Sequence, residues 1–312
     1  MRRAPWVLVL AAGEGKRVRS LTRDRLGQPA PKQFTAAGGD STLLETTLLR
    51  AQRIAPPERI VTIVAAEHER WWRSELAGFD AENIIVQPLN RGTATGILVP
   101  LFWITRRDRN ATVIILPSDH FVESEETLAG TLTRAVSSVT RSEAPIVLLG
   151  TEADNPEEDY GWIMPCPGPA NCPHQVAAFR EKPDACSAAS LLNQGALLNT
   201  FIIVADGRSL LALFKERTPQ LWSMSEEALA DLTRGSFQQA DLTHFYRSIP
   251  TMDFSRDVLE TAADKLWVCS VPSCGWSDLG TAQRLNDHLL RQCGHSVMIK
   301  PEERPVAARG QG

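Results

Sequence analysis

What this chain lacks narrows its reading first. No stretch approaches the ~20 apolar residues of a membrane span, so no transmembrane segment is expected. The apolar run behind Met1–Arg2–Arg3–Ala4–Pro5 is about seven residues, too short for a secretory signal core. Six cysteines include no C-x-x-C and no paired histidine spacing. That argues against a zinc–thiolate site and for free thiols in the cytoplasm. A formal net charge of −4 leaves no basic field, which excludes bulk nucleic-acid binding; cations that meet a phosphate must be placed locally. There is no internal repeat. With 43% hydrophobic residues among 312, the chain can bury one large core or two moderate ones.

What is present centres on the first strand and the loop behind it, Val7–Leu8–Val9–Leu10–Ala11–Ala12–Gly13–Glu14–Gly15–Lys16–Arg17. An apolar run ends in two glycines, followed at once by two cations. Small residues let backbone N–H groups approach a phosphate and the cations neutralise it, so a nucleotide-phosphate site at the carboxyl end of a strand is one reading. A ligand-free tight turn is the other. The third glycine of G-x-G-x-x-G is missing, with Val18 in its place, and no G-K-[ST] follows, so neither common phosphate motif fits.

Downstream, buried β-branched runs alternate with amphipathic patterns. Strands are expected at 60–66, 83–87, 112–116 and 145–150, and helices over about 42–53, 67–76, 93–107 and 127–141. The alternation predicts an α/β parallel sheet with helices on both faces, binding ligands beyond the carboxyl ends of its strands. Beyond residue 150 the connections shorten. Strands are expected at 160–164, 176–182, 197–204 and 265–271, with helices at 210–216, 225–232 and 279–291. A nucleotide-binding half of about 1–150, a second half of about 151–290 and a poorly ordered tail over 291–312 follow.

The order of motifs is more specific than any one of them. L-A-A-G-E-G-K-R-V-R-S-L-T-R, P-K-Q-F, Q-P-L-N-R-G-T-A-T-G-I and P-S-D-H-F are followed by D-Y-G-W-I, F-R-E-K-P, D-F-S-R-D-V-L-E and W-S-D-L-G. Over about residues 6–285 this resembles the sugar-1-phosphate nucleotidyltransferases, and within them the mannose-1-phosphate guanylyltransferases. The resemblance implies a Rossmann-like mixed, mostly parallel sheet of the nucleotide-diphospho-sugar transferase type. It implies transfer of a nucleotidyl group, with GTP and mannose 1-phosphate as the leading pair and Mg²⁺ as cofactor. Partners are then small molecules, with no nucleic acid or membrane, and a homodimer is the assembly it allows. The stretch after residue 290 leaves no room for a β-helix or isomerase domain, so acyltransferase and two-function relatives are not expected.

Residue roles follow from the same resemblance. Ala11, Ala12, Gly13 and Gly15 would wrap the triphosphate, with Arg17 on its β- and γ-phosphates. Lys32 would reach the phosphates between the two substrates, and Gln87, Arg91, Gly92 and Thr93 would meet the base side. Asp119 and Asp253 would hold the metal, Asp119 also contacting nucleotide. Gly161, Glu181 and Asn199 would face the sugar, and Lys182 its phosphate. Arg17, Lys32 and Lys182 are thus the expected catalytic cations. Plainer readings stand beside these: Asp253 suits a helix N-cap before Ser255–Leu259, and Asp278 could face the site or cap the last helix. The chain also departs from the family pattern. Gln87 and Gly92 stand where guanylyltransferases commonly have Glu and Asn, and the spacer from Arg17 to Lys32 is longer than usual. Phe201 replaces the glycine of N-[ST]-G in the sugar loop. These departures motivate two alternatives, another base or sugar, and a non-catalytic sugar-nucleotide-binding paralogue with a regulatory or scaffolding role.

Overall fold

The computed structural model describes residues 4–36, 40–169, 172–231 and 239–293. The first half alternates strand and helix: β1 (Trp6–Ala11), α1 (Leu43–Gln52), β2 (Ile60–Ala65), α2 (Glu69–Glu75), β3 (Ile84–Gln87), α3 (Gly92–Arg107), β4 (Thr112–Pro117), α4 (Glu125–Thr140) and β5 (Ile146–Thr151). The second half adds β6 (Gly161–Pro165), β7 (His174–Glu181), α5 (Ala185–Asn193), β8 (Leu197–Asp206), α6 (Gly207–Arg217), α7 (Pro219–Asp231), α8 (Gln239–Ser248), β9 (Trp267–Val271) and α9 (Ala282–Cys293). None of the described helices is long and apolar enough to cross a membrane. The predicted tail from 294 onward lies outside the described residues.

Local chemistry explains where the helices start. Thr42 accepts from the Glu45 amide while the Glu45 carboxylate accepts from the Thr42 amide, a reciprocal cap that begins α1. Ser124, Asp184 and Asp206 cap α4, α5 and α6 through single side-chain oxygens. Helices α5 and α8 were not expected. The short α5 buries only Ala188, so its apolar stripe is too narrow to read as periodicity.

The nine described strands form one sheet in the order β3-β2-β1-β4-β8-β5-β9-β7-β6. β1, β2, β3 and β4 are mutually parallel, as the buried β-branched runs predict. The expectation of a parallel sheet fails in the middle, where β8 runs antiparallel to both β4 and β5; β7 is likewise reversed against β6 and β9. Strand direction depends on connections too long for local pattern to fix, and the result is the mixed sheet of the family resemblance. Two apolar clusters sandwich the sheet. One gathers Leu8, Ile63, Ile97, Ile115, Ile203 and Phe254, the other Val9, Leu44, Val64, Ile114, Leu149 and Val204. Successive side chains on one strand point to opposite faces, so both faces need helical cover.

Register sets the functional edge. Leu10 on β1 stands opposite Pro117 on β4, so the glycine loop and the Pro117–His120 loop leave the sheet side by side. The Ser118 amide and hydroxyl both donate to the Leu10 carbonyl, at 3.1 and 2.7 Å.

Candidate active site

At that edge lies a cleft of about 320 Å³ whose lining includes Gly13, Arg17, Thr93, Asp119, Gly161, Glu181, Lys182, Asn199 and Asp253. An adjoining hollow of about 370 Å³ is lined by Gly15, Lys16, Arg17, Lys32, Asp119 and Asp278. Most of the expected site residues, from both halves of the chain, therefore meet in one place.

The glycine loop is held from below. Gln33 donates its amide hydrogens to the Ala11 and Gly13 carbonyls at 3.1 and 2.8 Å. Gly15 has φ +61°, and a Cβ there would stand 3.1 Å from the Lys32 amide nitrogen, so a side chain would be both strained and crowded. Phe34 stacks on Trp71 with centroids 5.7 Å apart, fixing the short helical turn that carries Lys32 and Gln33. Sequence reasoning passed over Gln33, although P-K-Q-F contains it, because its role is to bond backbone 20 and 22 residues away.

Lys32 is the buried cation of the site, its side chain 6% exposed. Its Nζ lies 3.0 Å from Asp119 Oδ2 and also donates to the Asp278 carbonyl. Burial alone would raise the Asp119 carboxyl, but Lys32 and His120 outweigh it and hold the group below its ordinary range. His120, 3.6 Å from Asp119, is kept neutral over a wider range because burial pushes its own pKa down. Asp278 behaves as Asp119 does: burial opposes its charge, while His120, the Tyr160 hydroxyl, Lys32 and Arg284 favour it. Tyr160 donates to Asp278 Oδ1 at 2.6 Å, and Arg284 reaches the same oxygen at 3.1 Å while bonding Glu157 and lying over the Tyr160 ring. The W-S-D-L-G aspartate thus lines the cleft, and its carboxylate also accepts from the Gly280 amide in its own turn.

Arg17 spans the cleft. It meets Asp159, the residue before Tyr160–Gly161, at 3.1 Å, with the arginine side chain 55% exposed. On the wall supplied by the second half of the chain, Lys182 pairs with Glu181 at 2.6 Å, and the Lys182 amide donates to the Tyr160 carbonyl at 3.0 Å. A Cβ on Gly161 would come within 2.7 Å of Glu181 Oε2 and 2.9 Å of the Phe179 ring, so a side chain there would have to displace them. The Asn199 side chain accepts from the Phe201 amide at 3.1 Å.

Asp253 reaches the cleft but is engaged locally. Its Oδ1 accepts from the Arg256 amide at 2.9 Å and its amide donates to the Asp257 carboxylate, just ahead of the π-helical turn Ser255–Leu259. The remaining expected residues stand back from the cleft. Ala11 packs in the core and Ala12 is half-buried. Gln87 is buried at the end of β3. Arg91 donates to the Tyr246 and Arg247 carbonyls, tying the start of α3 to α8. Gly92, at φ +81°, has no room for a Cβ, which would fall 2.1 Å from the Met252 carbonyl oxygen. The absence of Asn there is explained by this strand-to-helix crossing. Asp159 and His120 are cleft groups that motif spacing did not assign: the partner of Asp159 lies 142 residues away, and His120 pairs with its own neighbour Asp119, the residue that P-S-D-H singles out.

Comparisons with known proteins agree with this geometry. The nucleotidyl transferase family model matches residues 6–291. Alginate biosynthesis protein AlgA of Pseudomonas syringae pv. tomato is 28% identical over 284 residues, covering 88% of this chain and 56% of that protein. Mannose-1-phosphate guanylyltransferase 2 of Escherichia coli O157:H7 is 27% identical over 302 residues, covering 91% of this chain and 60% of that one. A solved structure described as mannose-1-phosphate geranyltransferase from Thermus thermophilus matches with a TM-score of 0.75 and 26% identity, over 91% of this chain and 78% of that chain. The chain spans a little over half the length of these curated relatives. With the family match running through every loop of the cleft, the chain belongs to the nucleotidyl transferase family.

Proposed function

We propose that the cleft transfers a nucleotidyl group from a nucleoside triphosphate to a hexose 1-phosphate, with GTP and mannose 1-phosphate as the leading pair. The observation that carries this reading is the single cleft lined by Gly13, Arg17 and Asp119 from the first half and Gly161, Glu181 and Lys182 from the second. An oxygen of the sugar phosphate would form a bond to the α-phosphorus as the bond to the β-phosphate oxygen breaks, and pyrophosphate would leave. That nucleophile is already an anion at neutral pH, so alignment and charge neutralisation are what the protein must supply.

Arg17 would leave Asp159 for the triphosphate, and Lys32 would steady charge between the substrates. Lys182 would meet the sugar's phosphate, while Glu181 accepts from its hydroxyls. A divalent ion, when bound, supplies further neutralisation of the phosphates, with Asp119 and Asp253 as its ligands. The fit is chemical: Mg²⁺ takes one or two carboxylates and fills its shell with water and substrate phosphate. Two aspartates on one cleft suit it, and no group of three or more candidate metal ligands occurs among the described residues.

The test is pyrophosphate release with GTP, ATP, UTP and dTTP against a panel of sugar 1-phosphates. Turnover with at least one pair is expected; none with any pair refutes the reading. A binding-only protein is favoured by one observation, the phenyl ring of Phe201 lining the cleft. Tight sugar-nucleotide binding without turnover, with activity restored by Phe201→Gly, would support that alternative.

A further inference from the structure

The lysines and the arginine that line the two hollows each face a carboxylate. Lys16 pairs with Glu14 inside its own loop, Lys182 with its chain neighbour Glu181, and Lys32 with Asp119 at the same sheet edge. Arg17 differs, because its carboxylate, Asp159 at 3.1 Å, belongs to the other half of the chain, 142 residues on. Both ends of this pair are carried on fixed backbone. Gly15 sits against Lys32 and Val18 is buried, its carbonyl accepting from the Leu21 amide, so the Arg17 side chain is the part free to swing. Asp159 lies between two anchored residues. The Glu157 carbonyl accepts from the Trp162 indole and the Glu157 carboxylate from Arg284, while the Tyr160 hydroxyl donates to Asp278.

The arginine side chain is 55% exposed and the aspartate 43%, so water reaches the pair and an incoming anion can exchange with it. Arg17 lines both hollows, including the one that holds Gly15, Lys16 and Lys32. A polyphosphate entering there meets an arginine already engaged, and must displace a carboxylate to take it. Resting on the nucleotidyl-transfer reading above, we propose that Asp159 is a positioning residue that holds Arg17 across the ligand-free cleft and surrenders it to the triphosphate. The pair competes with the substrate. It therefore lowers polyphosphate affinity by what an exposed ion pair is worth, about two- to fivefold.

The experiment measures binding of inorganic tripolyphosphate by titration calorimetry, a probe that needs neither base nor turnover. Asp159→Asn should bind about two- to fivefold tighter than wild type, with the ratio shrinking as ionic strength rises. Glu158→Gln removes the same charge from the exposed neighbouring position and gives the effect of net charge alone. In an Arg17→Met background the gain from Asp159→Asn should fall to the Glu158→Gln level, because the carboxylate then has no arginine to hold. A gain no larger than that of Glu158→Gln, a gain that survives in Arg17→Met, or no tripolyphosphate binding by any of these proteins overturns the proposal. With substrates, the change should fall on KM for the nucleoside triphosphate and not on kcat; a fall in kcat with KM unchanged overturns it. Absence of turnover with every pair refutes nucleotidyl transfer, while the tripolyphosphate comparison still decides the role of Asp159.

Discussion

Lys32→Met is the sharpest probe of the cleft's electrostatics. The substitution keeps an unbranched side chain in a space that is 6% exposed while removing the charge 3.0 Å from Asp119. At that separation and an effective dielectric near 20, the attraction is about 5 kcal/mol before desolvation is subtracted. Breaking a buried pair typically costs ~3–5 kcal/mol because it strands the partner. The Asp119 side chain is 35% exposed, so water recovers part of that and about 2–3 kcal/mol of lost stability is expected at pH 7. The sign of the pH dependence follows from the lowered Asp119 carboxyl. Its contribution is present above the unfolded carboxylate pKa and fades as pH falls through the folded value, so the gap between wild type and variant should shrink on acidification below about pH 4. Urea unfolding of wild type, Lys32→Met, Asp119→Asn and the double variant gives the coupling directly. Additive single effects, or a gap that does not change with pH, would refute the pairing as a source of stability. Pyrophosphate release by Lys32→Met should fall by ~10²–10³ under the proposed function.

Arg17→Ala should lower turnover by ~10² or more with little change in urea midpoint, since the side chain is largely exposed; an unchanged rate would remove Arg17 from the triphosphate site. Gly92→Ala should cost about 3 kcal/mol or more in thermal or urea unfolding, from a positive φ combined with collision against the Met252 carbonyl. Glu75 is pushed up to about 7, chiefly by burial, while Thr42 donates to it at 2.8 Å. A raised carboxyl makes the folded state bind more protons between about pH 4 and 7, so it weakens the fold as pH rises through that window. Glu75→Gln should therefore be more stable than wild type at pH 8, by on the order of 2 kcal/mol, and equal to it near pH 4. A stability difference independent of pH would contradict this.

The strands of the first half were legible because buried parallel strands are continuous β-branched runs, and Val7–Leu10, Ile60–Ala65 and Val113–Leu116 are such runs. The cleft's location was legible for a related reason: polar and glycine-rich segments follow those runs at once. The reversal of β8 was hidden, since a strand buried on both faces looks the same in either direction. Arg91 and Gly92 stay ambiguous in sequence, because a cation and a glycine before a helix suit a phosphate as well as they suit the packing of α3 against α8 and Met252. The Arg17–Asp159 and Tyr160–Asp278 contacts bridge 142 and 118 residues, and no local pattern encodes a partner at that distance.

The placement of β9 has a consequence for how the protein is made. This strand lies between β5 and β7 inside the sheet, and shortly after it comes Asp278, whose carbonyl holds the ammonium of Lys32 across 246 residues. A nascent chain therefore exposes its glycine loop and Lys32 long before the segment that anchors them leaves the ribosome. Until then β5 and β7 present unpaired edges to the surrounding solution, open to mispairing with other chains. This late strand closes the sheet and completes the cleft together, so a chain interrupted before residue 278 would lack the Lys32 anchor.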